Sequence, residues 1–356
     1  MAHFVDGGYL RAFGAAGVVS FADEQLRAKE YKRIYLIKGA RGALCAGLLG
    51  EVYRLLKRAG EEPMRILSGR RQGRTEGILL PQRHTVLIDA AYPNAIEPRF
   101  PVATEITVDT DALIEAPTLR ASGSAVALAD RVIDAEERRL ERYLAAIGSL
   151  WEDTGALISS FIREDKIARY AAGFASRELP RKAGKGNVNR VFLSSLALRE
   201  ISDGALIRYP RLIAVEDAYG ASAGLIFDAL TREALGRGLD AILCPSPLLP
   251  GKKTDLLLLP DAGTAFFCTS GTFCALPDAE RTVHTARFLD RDALSARKTR
   301  LAFNKKALRE LSRGAFETAE RVSDLQDVID RFYISAADLD KMRSAAEEIV
   351  GEIGKF

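Results

Sequence analysis

The spacing of apolar residues in the first hundred positions predicts short buried strands separated by helices. Residues 34–37 and 85–88 are continuous apolar runs, as expected for strands that are buried on both faces. Residues 48–58 carry apolar side chains at helical spacing, and Gly60 follows them as a typical helix stop. Further strands are predicted at residues 64–67 and 77–81. Apolar strands joined by helices predict an α/β domain with a parallel sheet.

The same pattern occurs a second time with its glycines and prolines in step. Residues 33–81 align with residues 211–260, so that Gly42 lies opposite Gly220. An offset that stays nearly constant over this length indicates a duplicated domain, since the period is far longer than a solenoid repeat.

Each copy is followed by a helical region, at about residues 120–180 and 290–356. Residues 180–189 are basic, contain glycine and have few apolar side chains, which is typical of a linker. We therefore predict two three-layer α/β/α domains with parallel sheets, at residues 1–185 and 186–356. Duplicated domains inherit complementary surfaces, so the two repeats are expected to pack against each other.

Residues 33–49 read as a strand, a glycine turn and the start of a helix. This is the layout of a phosphate-binding P-loop, GxxxxGK[ST]. Gly39 and Gly42 are present. The last glycine, the lysine and the hydroxyl residue of the motif are replaced by Leu44, Cys45 and Ala46 in the first copy, and the second copy has Ser222, Ala223 and Gly224 there.

The order GAAGVVSF, KRIYLIKGARG, GILLP and TVLIDAAYP, followed by a helical insert and a second copy, resembles tandem P-loop ATPase-like proteins of Gram-positive bacteria. The resemblance extends from about residue 13 to residue 333. It implies two P-loop NTPase-like domains that bind or hydrolyse ATP, and it implies no particular substrate. The chain departs from that family at both lysine and both hydroxyl positions, and Asp89 is the one strand carboxylate that remains.

A P-loop lysine balances phosphate charge, the hydroxyl binds Mg²⁺ and the strand carboxylate completes the metal shell. Because both loops lack the lysine and the hydroxyl, neither hydrolysis nor Mg²⁺ binding is expected; if the protein is active, it is an ATPase of the P-loop class. The first helix N-terminus can still attract the phosphates of ATP or another nucleotide. The candidate residues are Lys38, Gly39, Arg41, Gly42, Ala43, Leu44, Cys45, Ala46, Arg70, Arg71 and Asp89.

Arg70, Arg71 and Arg74 form a basic loop on the side of the strand ends where ligands bind in α/β folds, although a solvated charge run is the simpler interpretation. Glu216 and Asp217 precede the second loop and would repel phosphate. That loop is expected to be empty, and its residues are Asp217, Gly220, Ala221, Ser222, Ala223 and Gly224.

Two residues of the first loop region leave alternatives open. Asp89 is either a relic of a metal site or a side chain that caps a loop by accepting backbone N–H groups. Cys45 is either a reactive thiol, activated at a helix N-terminus, or a small buried packing residue.

The composition of the chain makes several classes of partner and location less expected. The chain has 356 residues and a formal charge of only +3, so neither nucleic acid nor an anionic membrane is an expected partner. Four cysteines fit no zinc spacing, no signal peptide is recognised, and a reducing cytoplasm is expected. The leading hypothesis is a catalytically inactive scaffold or regulatory protein with an unknown protein partner. The alternative is residual ATP binding at the first repeat.

Overall fold

The computed structural model describes residues 5–15, 17–27, 31–40, 42–195, 200–201, 206–269 and 278–355. The chain divides into two compact units. The first unit consists of Phe21–Arg139 and Thr318–Phe356, and the second consists of Met1–Ser20 and Leu140–Glu317. Each unit contains one of the two large sheets, so the fold is mixed α/β.

The described strands are β1 (Arg11–Gly14), β2 (Gly17–Ser20), β3 (Arg33–Lys38), β4 (Met64–Leu67), β5 (Thr75–Leu80), β6 (Thr85–Asp89), β7 (Glu105–Asp109), β8 (Val188–Arg190), β9 (Ser194–Ser195), β10 (Glu200–Ile201), β11 (Arg211–Glu216), β12 (Ala241–Pro245), β13 (Thr254–Leu259), β14 (Thr264–Cys268) and β15 (Arg281–His284). The described helices are α1 (Ala22–Arg27), α2 (Ala43–Arg58), α3 (Ala116–Ala121), α4 (Gly123–Ser159), α5 (Glu164–Glu178), α6 (Ser222–Leu235), α7 (Arg291–Leu294), α8 (Lys298–Ser335) and α9 (Leu339–Gly354).

The sheet of the first unit has the strand order β4-β5-β6-β3-β7 and is mixed rather than wholly parallel as predicted. Strands β6 and β7 lie parallel to β3, whereas β5 is antiparallel to both of its neighbours. The reason is the connection from β5 to β6, which consists of the 3-10 turn Pro81–Arg83 and His84. A parallel crossover needs about a dozen residues or more. This short spacing is visible in the sequence and already excludes a parallel pair.

The sheet of the second unit repeats this plan in the order β15-β11-β14-β13-β12-β8. Strand β8 adds a parallel edge next to β12 and occupies part of the segment predicted as a linker. Strand β7 is the parallel edge next to β3 in the first sheet, and it corresponds to β15, which pairs in parallel with β11 in the second sheet.

Helix α2 shows why the sequence folds locally as predicted. Leu48, Val52 and Leu56 are fully buried on one face of the helix. The helix ends because Gly60 has a positive φ of 81° and donates its N–H to Lys57, which closes the last turn. The second copy ends helix α6 in the same way at Gly238.

The final helix of each repeat packs against the other repeat's loop helix. In the first unit α9 packs on α2 and contributes Ala346, Ile349 and Ile353 to the core. In the second unit α5 packs on α6 and contributes Ile167 and Phe174. The division at residue 185 therefore remains a statement about the sequence repeats, because the compact units follow other boundaries.

Helix α8 is one continuous helix within the helical region that was predicted at about residues 290–356. Gly314 lies inside it. A glycine in a helix interior costs about 1 kcal/mol relative to alanine, which is too little to end a long helix by itself.

Candidate functional site

The first loop joins β3 to α2 in the first unit. Gly39 and Gly42 have φ values of 101° and 70°, which glycine adopts without strain, and α2 begins directly afterwards at Ala43. The ammonium of Lys38 pairs with Glu97 at 2.7 Å. Arg41, predicted to contact phosphate, lies outside the described residues.

A carboxylate of the chain itself lies at the start of α2. Asp330, on α8, accepts the Ala43 N–H through Oδ1 at 3.0 Å, and its side chain is almost fully buried. A side chain at Gly42 would overlap this carboxylate. The N–H groups at a helix N-terminus are the groups that would bind a phosphate. Asp330 thus occupies the N–H donor of Ala43 that a phosphate at this loop would need.

The basic loop of Arg70, Arg71 and Arg74 faces internal acids in the first unit. Arg74 pairs with Asp330, and Arg71 lies 3.5 Å from the same carboxylate. The remaining partners are Glu137 for Arg70, and Asp327 and the Ser323 carbonyl oxygen for Arg71. These arginines come together beside Gly42 and are mostly buried, so they are not a solvated charge run, and their charges are already compensated.

The space left at this loop is small. A cavity of about 80 Å³ is lined by Gly42, Asp89, Asp330 and the three arginines, among other residues. Small-molecule sites usually occupy roughly 300–1,000 Å³. As it stands, this cavity does not accommodate a nucleotide.

Asp89 and Cys45 follow the simpler of their two alternatives. Asp89 Oδ1 accepts the Ala91 N–H at 3.0 Å, which is a loop cap. Cys45 is fully buried and donates its S–H to the Ala40 carbonyl oxygen at 2.5 Å. Burial, and secondarily the charge of Asp89, raises the pKa of the Cys45 thiol well above its ordinary value. Leu44 shares this core, so two motif positions now serve packing.

The second loop also holds a carboxylate of the chain. Asp217 is fully buried, and its Oδ2 accepts the N–H groups of Ser222 and Ala223 at 2.7 and 2.8 Å. Gly220 has a φ of 71°, and an added Cβ would overlap the ring of Trp151. Ala221 precedes α6, and Gly224 lies in its first turn with open space around it. Asp217 was predicted to repel phosphate; in the structure it accepts the N–H groups at the start of α6.

Lys253 supplies a buried cation in the same neighbourhood. Its ammonium lies 2.8 Å from Asp255 and 5.5 Å from the centre of the Trp151 ring. Burial by itself would lower the pKa of Lys253, but the charges of Asp255, Cys268 and Asp217 outweigh it and raise the pKa. Lys253 stands at the repeat position of Arg74, directly before the aligned Thr254 and Thr75. Both loops therefore have a carboxylate at the helix N-terminus and a cation from the same strand-entry position.

Sequence reasoning missed Asp330, Trp151 and Lys253. Lys253 had a detectable signal, because extending the repeat alignment by one residue pairs it with Arg74. Asp330 is 287 residues from Ala43 in the chain, and no local pattern connects the two.

The residues that the structure describes contain neither a metal centre nor a membrane-spanning helix. No group of three or more histidine, cysteine, aspartate or glutamate side chains there is arranged to hold a metal ion. Within the same residues, no helix combines the length and apolar character needed to cross a bilayer.

The resemblance to tandem P-loop proteins remains a prediction from the sequence, and the fold supports it only at the level of a mixed α/β architecture with parallel strand pairs. No protein-family model matches the chain, and no curated protein or solved structure is significantly similar to it.

Proposed function

We propose that this chain is a degenerate tandem P-loop NTPase-like protein that does not hydrolyse ATP and acts as a scaffold or regulatory partner of another protein. The observation that carries the proposal is the Asp330 carboxylate on the Ala43 N–H. The corresponding contact of Asp217 with Ser222 and Ala223 supports it independently.

A phosphate at the first loop would have to displace Asp330 from both its helix N-terminus and its arginine partners. An incoming anion gains only what the carboxylate already has, namely the N–H donor and the charges of Arg71 and Arg74. Hydrolysis also needs groups that the sequence lacks, because Cys45 and Ala46 stand at the lysine and hydroxyl positions.

The alternative, residual nucleotide binding at the first repeat, depends on a rearrangement of the first loop. It requires the Asp330 side chain to leave the loop, after which Arg71, Arg74 and the Ala43 N–H would form an anion site. Nucleotide binding and the Asp330 contact are therefore mutually exclusive.

The test is calorimetric titration with ATP and ADP, each with and without Mg²⁺, together with a phosphate-release assay. We expect no hydrolysis in the natural protein and no binding that depends on Arg74. We expect Asp330→Ala to gain phosphate binding at the opened loop. Asp327→Ala, which removes a half-exposed acid on the same helix, is the matched control and should gain none.

We call the first loop closed because Asp330 occupies the Ala43 N–H. One result would refute the closed loop: the natural protein binds nucleotide more tightly than about 100 μM, roughly −5.5 kcal/mol, and Arg74→Ala abolishes this binding without unfolding the protein. ATP hydrolysis that Arg74→Ala abolishes would refute the proposal as a whole. Thermal unfolding of each variant shows whether a loss of binding is a loss of fold.

A further inference from the structure

A basic groove in the second unit shares no lining residue with either loop. It has a volume of about 400 Å³ and lies between α5 and the 3-10 helix Thr285–Phe288. Its walls carry four cationic side chains and two aromatic rings. They are Lys166, Arg169, Arg177, Arg287, Tyr170 and Phe288. The volume falls in the range of sites for small ligands.

The groove carries positive charge that neighbouring acids leave uncompensated. Lys166, Arg177 and Arg287 form no ion pair with any residue that the structure describes, whereas Arg169 pairs with Asp165 at 2.8 Å. The carboxylate of Glu178, the other nearby acid, is engaged by arginines outside the groove. The groove therefore favours an anion.

The floor of the groove has one polar group without a partner. The Tyr170 hydroxyl is buried and makes no hydrogen bond within the described part of the chain. The guanidinium of Arg287 lies over the Tyr170 ring at 5.5 Å and over the Phe288 ring at 5.1 Å. Buried hydroxyls normally have a partner, so a ligand oxygen at this position would satisfy an otherwise costly group.

The other repeat shows that the fold does not require Tyr170 or Arg177, although it keeps a lysine, Lys341, at the position of Lys166. The segment Asp165-Lys166-Ile167 aligns with Asp340-Lys341-Met342 at the start of α9. Continued along the helix, this alignment places Ala345 at the position of Tyr170 and Glu352 at the position of Arg177. Helix α9 still packs on its partner helix, α2. Packing alone therefore does not explain why α5 is basic along this face.

The spacing of the cations indicates the length of the ligand. Lys166 and Arg177 lie three turns apart on α5, about 16 Å along the helix axis at 1.5 Å per residue. A chain of phosphoryl groups extends along more of this distance than one orthophosphate does, and so it can meet more of the cations at once. We propose that this groove binds a small ligand with a chain of phosphoryl groups, a di- or triphosphate, held by Lys166, Arg177 and Arg287.

The test is calorimetric titration of the full chain with sodium tripolyphosphate, orthophosphate and ATP at near-physiological salt. Tripolyphosphate should bind saturably, and orthophosphate should bind at least about ten-fold more weakly because it meets fewer cations. Arg177→Gln and Arg287→Gln should each weaken tripolyphosphate binding about ten-fold. Tyr170→Phe, which removes only the hydroxyl, should weaken it about five-fold.

Lys305→Gln is the matched control, since it removes one exposed charge on α8 in the same unit. An equal effect of Lys305→Gln, equal affinity for orthophosphate, or failure of tripolyphosphate to saturate would overturn the proposal. Equal affinity for ATP and tripolyphosphate supports recognition of the phosphate chain, whereas binding of ATP alone would contradict it.

This inference goes beyond the proposed function, and its outcome can be separated from that function. Binding that Arg287→Gln removes and Arg74→Ala preserves belongs to the groove. Binding that Arg74→Ala removes and Arg287→Gln preserves would refute the closed first loop, and it would also refute ligand binding in the groove.

Discussion

The contact of Asp330 with α2 makes a quantitative prediction for the stability of the first unit. Asp330→Ala removes the acceptor of the Ala43 N–H, a loss of about 1 kcal/mol for a helix cap. It also leaves the mostly buried Arg74 without its main partner, at a further cost of about 1–3 kcal/mol. We therefore expect Asp330→Ala to lower the free energy of unfolding by about 2–4 kcal/mol.

Two variants separate these contributions. Asp330→Asn keeps an acceptor for the Ala43 N–H and loses the charge, so its loss of stability should be smaller than that of Asp330→Ala. Asp327→Ala removes a side chain that is 50% exposed, and a pair of that kind contributes less than about 1 kcal/mol.

The assay is urea unfolding followed by circular dichroism, with amide hydrogen exchange of α2 as the local readout. A double-mutant cycle of Asp330→Ala and Arg74→Ala should show a coupling energy of about 1–3 kcal/mol between Asp330 and Arg74. The reasoning would be refuted if Asp330→Ala were no less stable than Asp327→Ala, or if exchange of α2 were unchanged.

Two further predictions concern the second unit. Gly220→Ala should destabilise it by more than about 2 kcal/mol, measured by urea unfolding with Trp151 fluorescence, because φ is 71° and the new Cβ overlaps the Trp151 ring. Gly224→Ala, in open space on α6, should be neutral or stabilising, and equal effects of the two variants would contradict the geometry. Burial opposes ionisation of Glu178, but its bonds to Arg211 and Arg281 outweigh this and lower its pKa below the ordinary value of 4.5. Its contribution to stability is therefore present above pH 4.5 and is lost as the pH falls through the lower folded-state pKa. Between neutral and acidic pH, the Glu178→Gln variant should therefore lose less stability than the natural protein, as measured by urea unfolding. Identical pH profiles would argue against this role.

Local sequence determined most of the individual elements. The apolar runs became β3, β6, β11 and β14, and the glycine after each loop helix ended it at the expected place. The residues at the lysine and hydroxyl positions of the P-loop pattern, Cys45 and Ala46, are likewise read from the sequence alone. Each of these features depends on residues within a few positions of one another, which is why pattern and spacing are enough to read them.

The contact at the start of α2, in contrast, depends on the folding of distant segments. Asp330 reaches Ala43 across 287 residues, and α9 covers α2 although it ends the other repeat. Such contacts depend on the summed burial and charge pairing of segments that are distant in the chain. A local sequence pattern does not show which distant segments will meet. The sequence predicts two α/β repeats whose loops differ from the P-loop pattern; the folded chain brings Asp330 to the start of α2 from a distant segment, whereas Asp217 bonds to the start of α6 from only five residues away.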